Sequence, residues 1–278
     1  MNVSIAGLGL IGGSLALGLK MRHRVTGFDT DASTRDAALA AGIDVVGALE
    51  ALLPADAVIV ATPMDAVVPT LDALAPRAGA AVLLDVASVR APVEAFAAAA
   101  PAGSRIVGLH PMAGRSGRGF GAASADLLEL RPFLVVPTVR SDTAAMAVAG
   151  ALARDAGGIV TVCSAEQHDR IVAVLSALPI AVAVALALVA SDVPDDPARF
   201  SGPGFRDATR LAGTPVDLSE PLLQTNRDNV VAALARLRAT LDAVESAIAA
   251  DDTAKLRALL TQAAEIRARL EEAHTGGR

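Results

Sequence analysis

The chain opens with a short apolar strand, Val3-Ser4-Ile5-Ala6, which runs into Gly7-Leu8-Gly9-Leu10-Ile11-Gly12-Gly13-Ser14 and then into the helix-forming run Leu15–Leu19. Few folds accept that order. In a strand–turn–helix unit, Gly7 allows the tight turn, Gly9 lets the backbone approach a pyrophosphate, and Gly12 lets helix and strand pack closely. The first amide N–H groups of the helix then point at the phosphates, where the helix dipole favours negative charge. A second strand, Val25-Thr26-Gly27-Phe28, ends at Asp29, roughly 20 residues on, the spacing of a carboxylate that holds a ribose hydroxyl. The competing reading is a bare strand–helix turn that holds no ligand. The strand before, the helix after and the acid at Asp29 argue for a dinucleotide site.

The same alternation continues. Apolar strands are expected at 3–6, 24–28, 57–61, 81–85, 105–108 and 133–136, with helices at 13–20, 33–41, 65–75 and 91–99. Such a pattern predicts a doubly wound, mostly parallel sheet, the Rossmann arrangement, with ligands beyond the carboxyl ends of the strands. The turns at those ends supply the candidate cofactor-binding residues: Gly7, Gly9, Leu10, Ile11, Gly12, Asp29, Thr62, Pro63 and Asp85. After Gly157-Gly158 and a short apolar stretch, Ile159–Val162, helical patterns take over at 165–190, 206–212, 219–249 and 252–273. A loop rich in Pro, Asp and Gly, Asp192–Gly204, separates two of them. The expected division is a dinucleotide-binding domain over 1–163 and an all-α domain over 164–278.

Bulk properties narrow the class. The chain has 278 residues, 53% of them hydrophobic, enough for two domains with sizeable cores. A net charge of −6 with no basic run speaks against a nucleic-acid partner. The single cysteine, Cys163, is read as a small buried apolar residue. It has no internal disulfide partner, which suits a reducing cytoplasm. No signal peptide is expected, because the glycine turn begins so early. Ile171–Ala190 has no charged residue and approaches the length of a membrane span. It contains Ser176 and Pro179 and has no aromatic belt; such a helix can be the centre of a soluble core or a subunit interface, and the interface is the preferred reading, with no membrane partner expected. No metal site is expected. With no Trp, no Tyr and six Phe, pockets must be built from aliphatic groups and backbone.

Several residues could carry chemistry. His110, just past a predicted strand and followed by Pro111 and a glycine-rich loop from Gly114, could accept a proton from a substrate hydroxyl as hydride leaves. The alternative is a histidine that caps a turn. Ser88, in Asp85-Val86-Ala87-Ser88-Val89-Arg90, could hydrogen-bond a substrate oxygen or cap the following helix. Arg206 and Arg210 lie one turn apart on a predicted helix and could bind a carboxylate. The alternative for Arg210 is a surface pair with Asp207. His23 and His274 are read as surface residues.

In order and spacing, the glycine turn, Asp85…Ser88-Val89-Arg90, Gly108-Leu109-His110-Pro111-Met112-Ala113-Gly114, His168-Asp169 and Gly204-Phe205-Arg206-Asp207-Ala208-Thr209-Arg210-Leu211-Ala212 resemble the prephenate/arogenate dehydrogenases of tyrosine biosynthesis. The resemblance spans roughly residues 3–230. It implies a Rossmann domain followed by a helical dimerisation domain, a homodimer, and oxidative decarboxylation of a small cyclohexadienol with NAD. Hydride leaves ring C4, the C4 hydroxyl loses its proton, and the ring carboxylate departs as CO2. It further implies that His110 is the proton acceptor, that Ser88 orients the hydroxyl, and that Arg210 binds substrate carboxylate. Ser176 and Gly114 complete the implied substrate side. Asp29 favours NAD over NADP, since a 2′-phosphate would meet like charge there. The chain departs from the family pattern at Ile180, where histidine is usual, and at Ser219, where tryptophan is usual. Both departures lie toward the substrate's side chain, so arogenate or an amino-substituted analogue stands beside prephenate. Feedback control through an appended regulatory domain is not expected. Two other readings stay open: a dehydrogenase of the same fold acting on another substrate such as a β-hydroxy acid, and a non-catalytic NAD-binding sensor. Against the first, the helical half has one lysine, Lys255, on the charged last helix.

Overall fold

The apolar runs of the first half pair into one eight-stranded sheet in a computed structural model, which describes residues 1–115, 117–193 and 199–275, with side chains as far as 272. In chain order the elements are β1 (Asn2–Ala6), α1 (Leu10–Leu19), β2 (Arg24–Phe28), α2 (Ala32–Ala40), β3 (Asp44–Val45), β4 (Ala57–Val60), α3 (Met64–Leu74), β5 (Val82–Asp85), α4 (Ala91–Ala99), β6 (Arg105–Pro111), β7 (Pro132–Pro137), α5 (Thr143–Asp155) and β8 (Ile159–Val162). The strands lie in the order β3-β2-β1-β4-β5-β6-β7-β8. All neighbours run parallel except β6 and β7. The order reverses between β1 and β4, which is the switch point of a Rossmann sheet.

Strand side chains alternate between two cores. Ile59, Val82 and Leu84 enter one, with Leu15 and Leu19 of α1 and Leu152 of α5. Val58, Val60 and Leu83 enter the other, with Val67 and Leu71 of α3 and Val93 of α4. Burial on both faces explains why β4 and β5 read as continuous apolar runs. Each fully buried Leu or Ile contributes about 1.5–3 kcal/mol.

Three elements differ from expectation. β3 has only two residues and carries no periodic signal. β6 continues to Pro111, past the expected end at 108, because antiparallel β7 pairs His110 with Leu134 and Pro111 with Phe133. α5 went unpredicted although its ends are marked: the Asp142 carboxylate accepts from Ala145 N, and Gly157 follows the helix at φ 88°.

Helices α6 (Ala165–Val172), α7 (Leu178–Val189), α8 (Pro203–Thr209) and α9 (Val216–Thr225) follow. Between α6 and α7 the helix widens into a π-turn, Ala173–Ala177. Pro179 lacks the N–H that would return to the Leu175 carbonyl, and such widenings accommodate that loss. The expected helix at 206–212 is instead α8, begun by Pro203, followed by a 3₁₀ turn over Arg210–Gly213. The expected run 219–249 is broken at Asn226 (φ −101°, ψ 26°), whose side chain donates to the Asp169 carbonyl at 2.7 Å. Helices α10 (Arg227–Ala249) and α11 (Thr253–Thr275) complete the chain.

By internal contacts the chain separates into two units, Met1–Arg227 and Asp228–Arg278. Taken alone, the second holds most of α10 and all of α11, joined by a short turn in which the Asp252 carboxylate accepts from Lys255 N at 2.9 Å. The Asp192–Gly204 loop lies partly outside the described residues, as does the His274 side chain. Cys163 is half-buried rather than buried, and burial raises its thiol pKa. His23 is not a surface residue: its side chain is 7% exposed and meets the Asp155 carboxylate at 2.9 Å.

Candidate active site

Register gathers the site. Ala6 pairs with both Phe28 and Val60, Val60 with Asp85, and Asp85 with Gly108. The residues that follow these strand ends, Gly7, Asp29, Thr62 and Ser88, therefore share one edge of the sheet. His110 lies two residues beyond Gly108 on the strand that β7 extends.

The glycine turn is closed to other residues. Gly7 sits at φ +91°, and a Cβ there would lie 2.5 Å from the Ala61 carbonyl oxygen. A Cβ on Gly12 would lie 1.9 Å from the Gly7 oxygen. A Cβ on Gly9 would meet nothing within 4 Å, so open space lies above the turn. The first turn of α1, with Leu10 and Ile11, has no side-chain cap, so its N–H groups remain available to an anion. Asp29 braces the turn, with one carboxylate oxygen accepting from Leu8 N at 2.8 Å and the other from Asp31 N at 2.9 Å. A carboxylate has about four acceptor sites, so capacity remains for a ribose hydroxyl. Thr62 Oγ1 is buried without a partner beside this turn, and Pro63 starts α3 on the exposed side. A cradle that excludes side chains and an orphaned hydroxyl both fit a dinucleotide.

Asp85 is a correction. Expected to face the cofactor, it is fully buried, and its two oxygens are taken by Arg90 Nη1 at 2.5 Å and Nη2 at 3.1 Å. Arg90 is itself fully buried. Gly108 makes room for it, since a Cβ there would lie 2.6 Å from the guanidinium carbon. Burial opposes the Arg90 charge, but Asp85 outweighs it and holds the pKa above its ordinary value.

His110 is 9% exposed, and its Nδ1 lies 2.8 Å from His168 Nε2. His168 is fully buried, and its Nδ1 lies 2.8 Å from Asp169 Oδ1. The same oxygen accepts from Arg90 N at 2.8 Å, and Oδ2 accepts from Ala91 N at 3.3 Å. Burial, helped by His168 and Arg90, lowers the His110 pKa to about 3. The ring is therefore neutral at physiological pH, with Nε2 unpartnered among the described residues. His110 caps no turn. Ser88 caps no helix either: α4 has Arg90 at its N-cap, and its first N–H groups go to Asp169. The Ser88 hydroxyl has no partner among the described residues and is half-buried in the turn after β5.

The implied substrate residues lie further out. Arg210 opens the 3₁₀ turn after α8 and is exposed, and no ion pair joins it to Asp207. Ser176 is half-buried in the π-turn, and Gly114 is exposed in the loop after β6. That loop is tied to the start of α9 by Arg118 and Asp217. Ile180 is 8% exposed, and the Ser219 hydroxyl donates to the Pro215 carbonyl of its own helix. Sequence reading did not assign the parts of Arg90, His168 and Asp169. His168-Asp169 stood in a motif, but the contact that gives it meaning joins residues 58 apart.

Known proteins are similar to this chain in sequence and fold. The family model for the prephenate dehydrogenase nucleotide-binding domain matches residues 15–162, and that for its dimerization domain matches 164–262. A prephenate dehydrogenase of Bacillus subtilis is 31% identical over 83% of this chain. The chain spans 65% of that relative's length. A cyclohexadienyl dehydrogenase of Zymomonas mobilis is 30% identical over 90% of this chain and 89% of its own. Among solved structures, Synechocystis arogenate dehydrogenase superposes with a TM-score of 0.85 at 28% identity, covering 97% of this chain and 100% of its own. The prephenate dehydrogenase of A. aeolicus, in complex with hydroxyphenyl propionate and NAD+, gives 0.88 at 25% identity, covering 97% and 98%. A Rossmann sheet with a helical C-terminal part, as the sequence implied, and two family models that together span most of it lead to one statement: the chain belongs to the prephenate dehydrogenase family.

Proposed function

We propose that this protein oxidatively decarboxylates a cyclohexadienol, prephenate or arogenate, with NAD, as part of tyrosine biosynthesis. The observation that carries the proposal is His110: a neutral, buried imidazole with one free ring nitrogen, at the sheet edge that also holds the glycine turn and Asp29.

The glycine turn Gly7–Gly12, the uncapped start of α1, Asp29 and Thr62 would hold NAD, with Asp29 set against a 2′-phosphate. NAD, when bound, supplies the hydride acceptor. His110 takes the C4 hydroxyl proton at Nε2, so the carbon–oxygen bond gains double-bond character as the C4 hydrogen leaves. Ser88, whose hydroxyl has no partner among the described residues, orients that oxygen. Arg210, exposed and without an ion pair among the described residues, binds a substrate carboxylate bidentately, and Ser176 and Gly114 border the same substrate. Loss of CO2 returns its electron pair to the ring, which becomes aromatic. The same electron shift returns charge to the C4 oxygen, which takes its proton back from the His110 imidazolium, so the product is a phenol and His110 is neutral again.

The choice of substrate turns on Ile180 and Ser219. The first is aliphatic and the second is turned back on its own helix, so neither offers a donor to a pyruvyl group. These positions support arogenate, or an amino-substituted analogue, as a second reading. We take the working division as 1–163 and 164–278, supported by where the two family models meet. We take the assembly as a homodimer through the helical part, supported by the dimerization model and by Leu188 and Val189, which are 67% and 66% exposed on α7. Ala165–Asp192 is long and apolar enough to cross a membrane, and we read its uncovered face as subunit interface. The cytoplasm is the proposed compartment, in keeping with a single free cysteine.

The test is NADH or NADPH formation from prephenate and from arogenate, each with NAD and with NADP. Turnover with NAD and at least one of the two substrates is expected. Tight NADH binding with no turnover of either would establish a sensor instead.

A further inference from the structure

Resting on that proposed reaction, the geometry points to His168 and Asp169 as positioning residues that fix which nitrogen of His110 is bare. The chain of contacts has one direction. Arg90 N and Ala91 N are donors only, and both are aimed at the Asp169 carboxylate from the N-terminal end of α4. A carboxylate held this way accepts, so the ring nitrogen that meets it, His168 Nδ1, carries the hydrogen. In a neutral His168 the other nitrogen, Nε2, is then an acceptor. Its neighbour at 2.8 Å, His110 Nδ1, must donate to it. His110 Nε2 is left as a lone pair. Reverse the order, and His110 would present an N–H to the substrate hydroxyl and could not remove its proton.

The arrangement is built rather than incidental. His168 is fully buried, Asp169 is nearly so, and Asn226 holds the Asp169 backbone from the end of α9. Gly108 admits Arg90, whose pairing with Asp85 fixes the backbone that feeds Asp169. When the O–H bond of the substrate breaks and an N–H bond forms at His110 Nε2, the imidazolium keeps its Nδ1 hydrogen. Its charge is then stabilised through His168 by the Asp169 carboxylate, with no proton required to reach that carboxylate.

Imidazole ¹⁵N chemical shifts of histidine-labelled protein test this without a variant. The chain has four histidines, and single substitutions of His23 and His274 simplify the spectrum. In the free protein at neutral pH, both His110 and His168 are expected to show protonated Nδ1 and unprotonated Nε2. A protonated Nε2 on either ring overturns the proposal. In Asp169→Ala, the acceptor that holds the hydrogen on His168 Nδ1 is removed, and both rings are expected to change tautomer. It should lower kcat by about 10³–10⁴-fold, the cost of a wrong tautomer in a comparable relay, while KM and NADH affinity change less than about threefold. Flipped tautomers with unchanged kcat would also overturn it. Absence of wild-type turnover on any cyclohexadienol would count against the proposed reaction, not against the tautomer order, which the spectrum reads independently.

Discussion

Burial decides when His110 is charged, and that has a consequence for stability. Its folded pKa is lowered to about 3, whereas the unfolded ring titrates near 6.5. Below about pH 6.5 the unfolded chain binds the proton and the folded protein does not, so stability falls as pH falls and levels off only near the folded value. Between pH 7 and pH 5.5 the loss from this one group is about 1 kcal/mol. His110→Asn removes it. Urea midpoints at the two pH values should therefore move apart less in the variant than in the wild type, and equal shifts would contradict a depressed pKa. Among single residues, the place of His110 at a strand end was legible because strand, histidine and proline stand together in sequence. Asp85 was misread because its partner is fixed by packing. Whether a carboxylate at a strand end meets solvent or a buried guanidinium depends on the space left by Gly108, which sequence spacing does not express.

At the scale of elements, the sheet's one antiparallel pair matters most. β7 runs against β6 and carries it three residues past the level at which β4 and β5 stop, to Pro111, and His110 rides on that extension. Parallel alternation was readable in the sequence, but the reversal was not, because the segment between β6 and β7 has the composition of any glycine-rich loop. The break at Asn226 was missed for a similar reason: its cause is a hydrogen bond to Asp169, 57 residues away. By contrast α5 carried its own signals in Asp142 and Gly157. Gly108→Ala tests the coupling between β6 and the start of α4. Its Cβ would lie 2.6 Å from a guanidinium with no room to swing, so the Asp85–Arg90 pair must yield. A loss of about 3 kcal/mol, the order of a broken buried ion pair, is expected in urea unfolding, with a fall in kcat as Arg90 N leaves Asp169. A variant as stable as wild type would show that Arg90 does not need this position.

For the whole molecule, the uncharged helical stretch leaves large apolar side chains uncovered in one chain. Leu175, Leu188 and Val189 are each more than 60% exposed, an arrangement that favours burial against another surface. A dimer buried there predicts that Leu188→Glu combined with Val189→Glu gives monomers by sedimentation, with the Rossmann sheet intact by circular dichroism. An unchanged mass would place the interface elsewhere. The composition foretold this surface, but not whether core, partner or lipid would cover it.

In the proposed reaction His110 is the proton acceptor of an NAD-dependent dehydrogenase. The most direct measurement is kcat for NADH formation by His110→Asn beside the wild type, with NADH affinity determined on the same samples. A fall of about 10²–10⁴-fold, the range of lost general-base catalysis, with NADH affinity near the wild-type value, is the predicted result. Turnover equal to that of the wild type would contradict it.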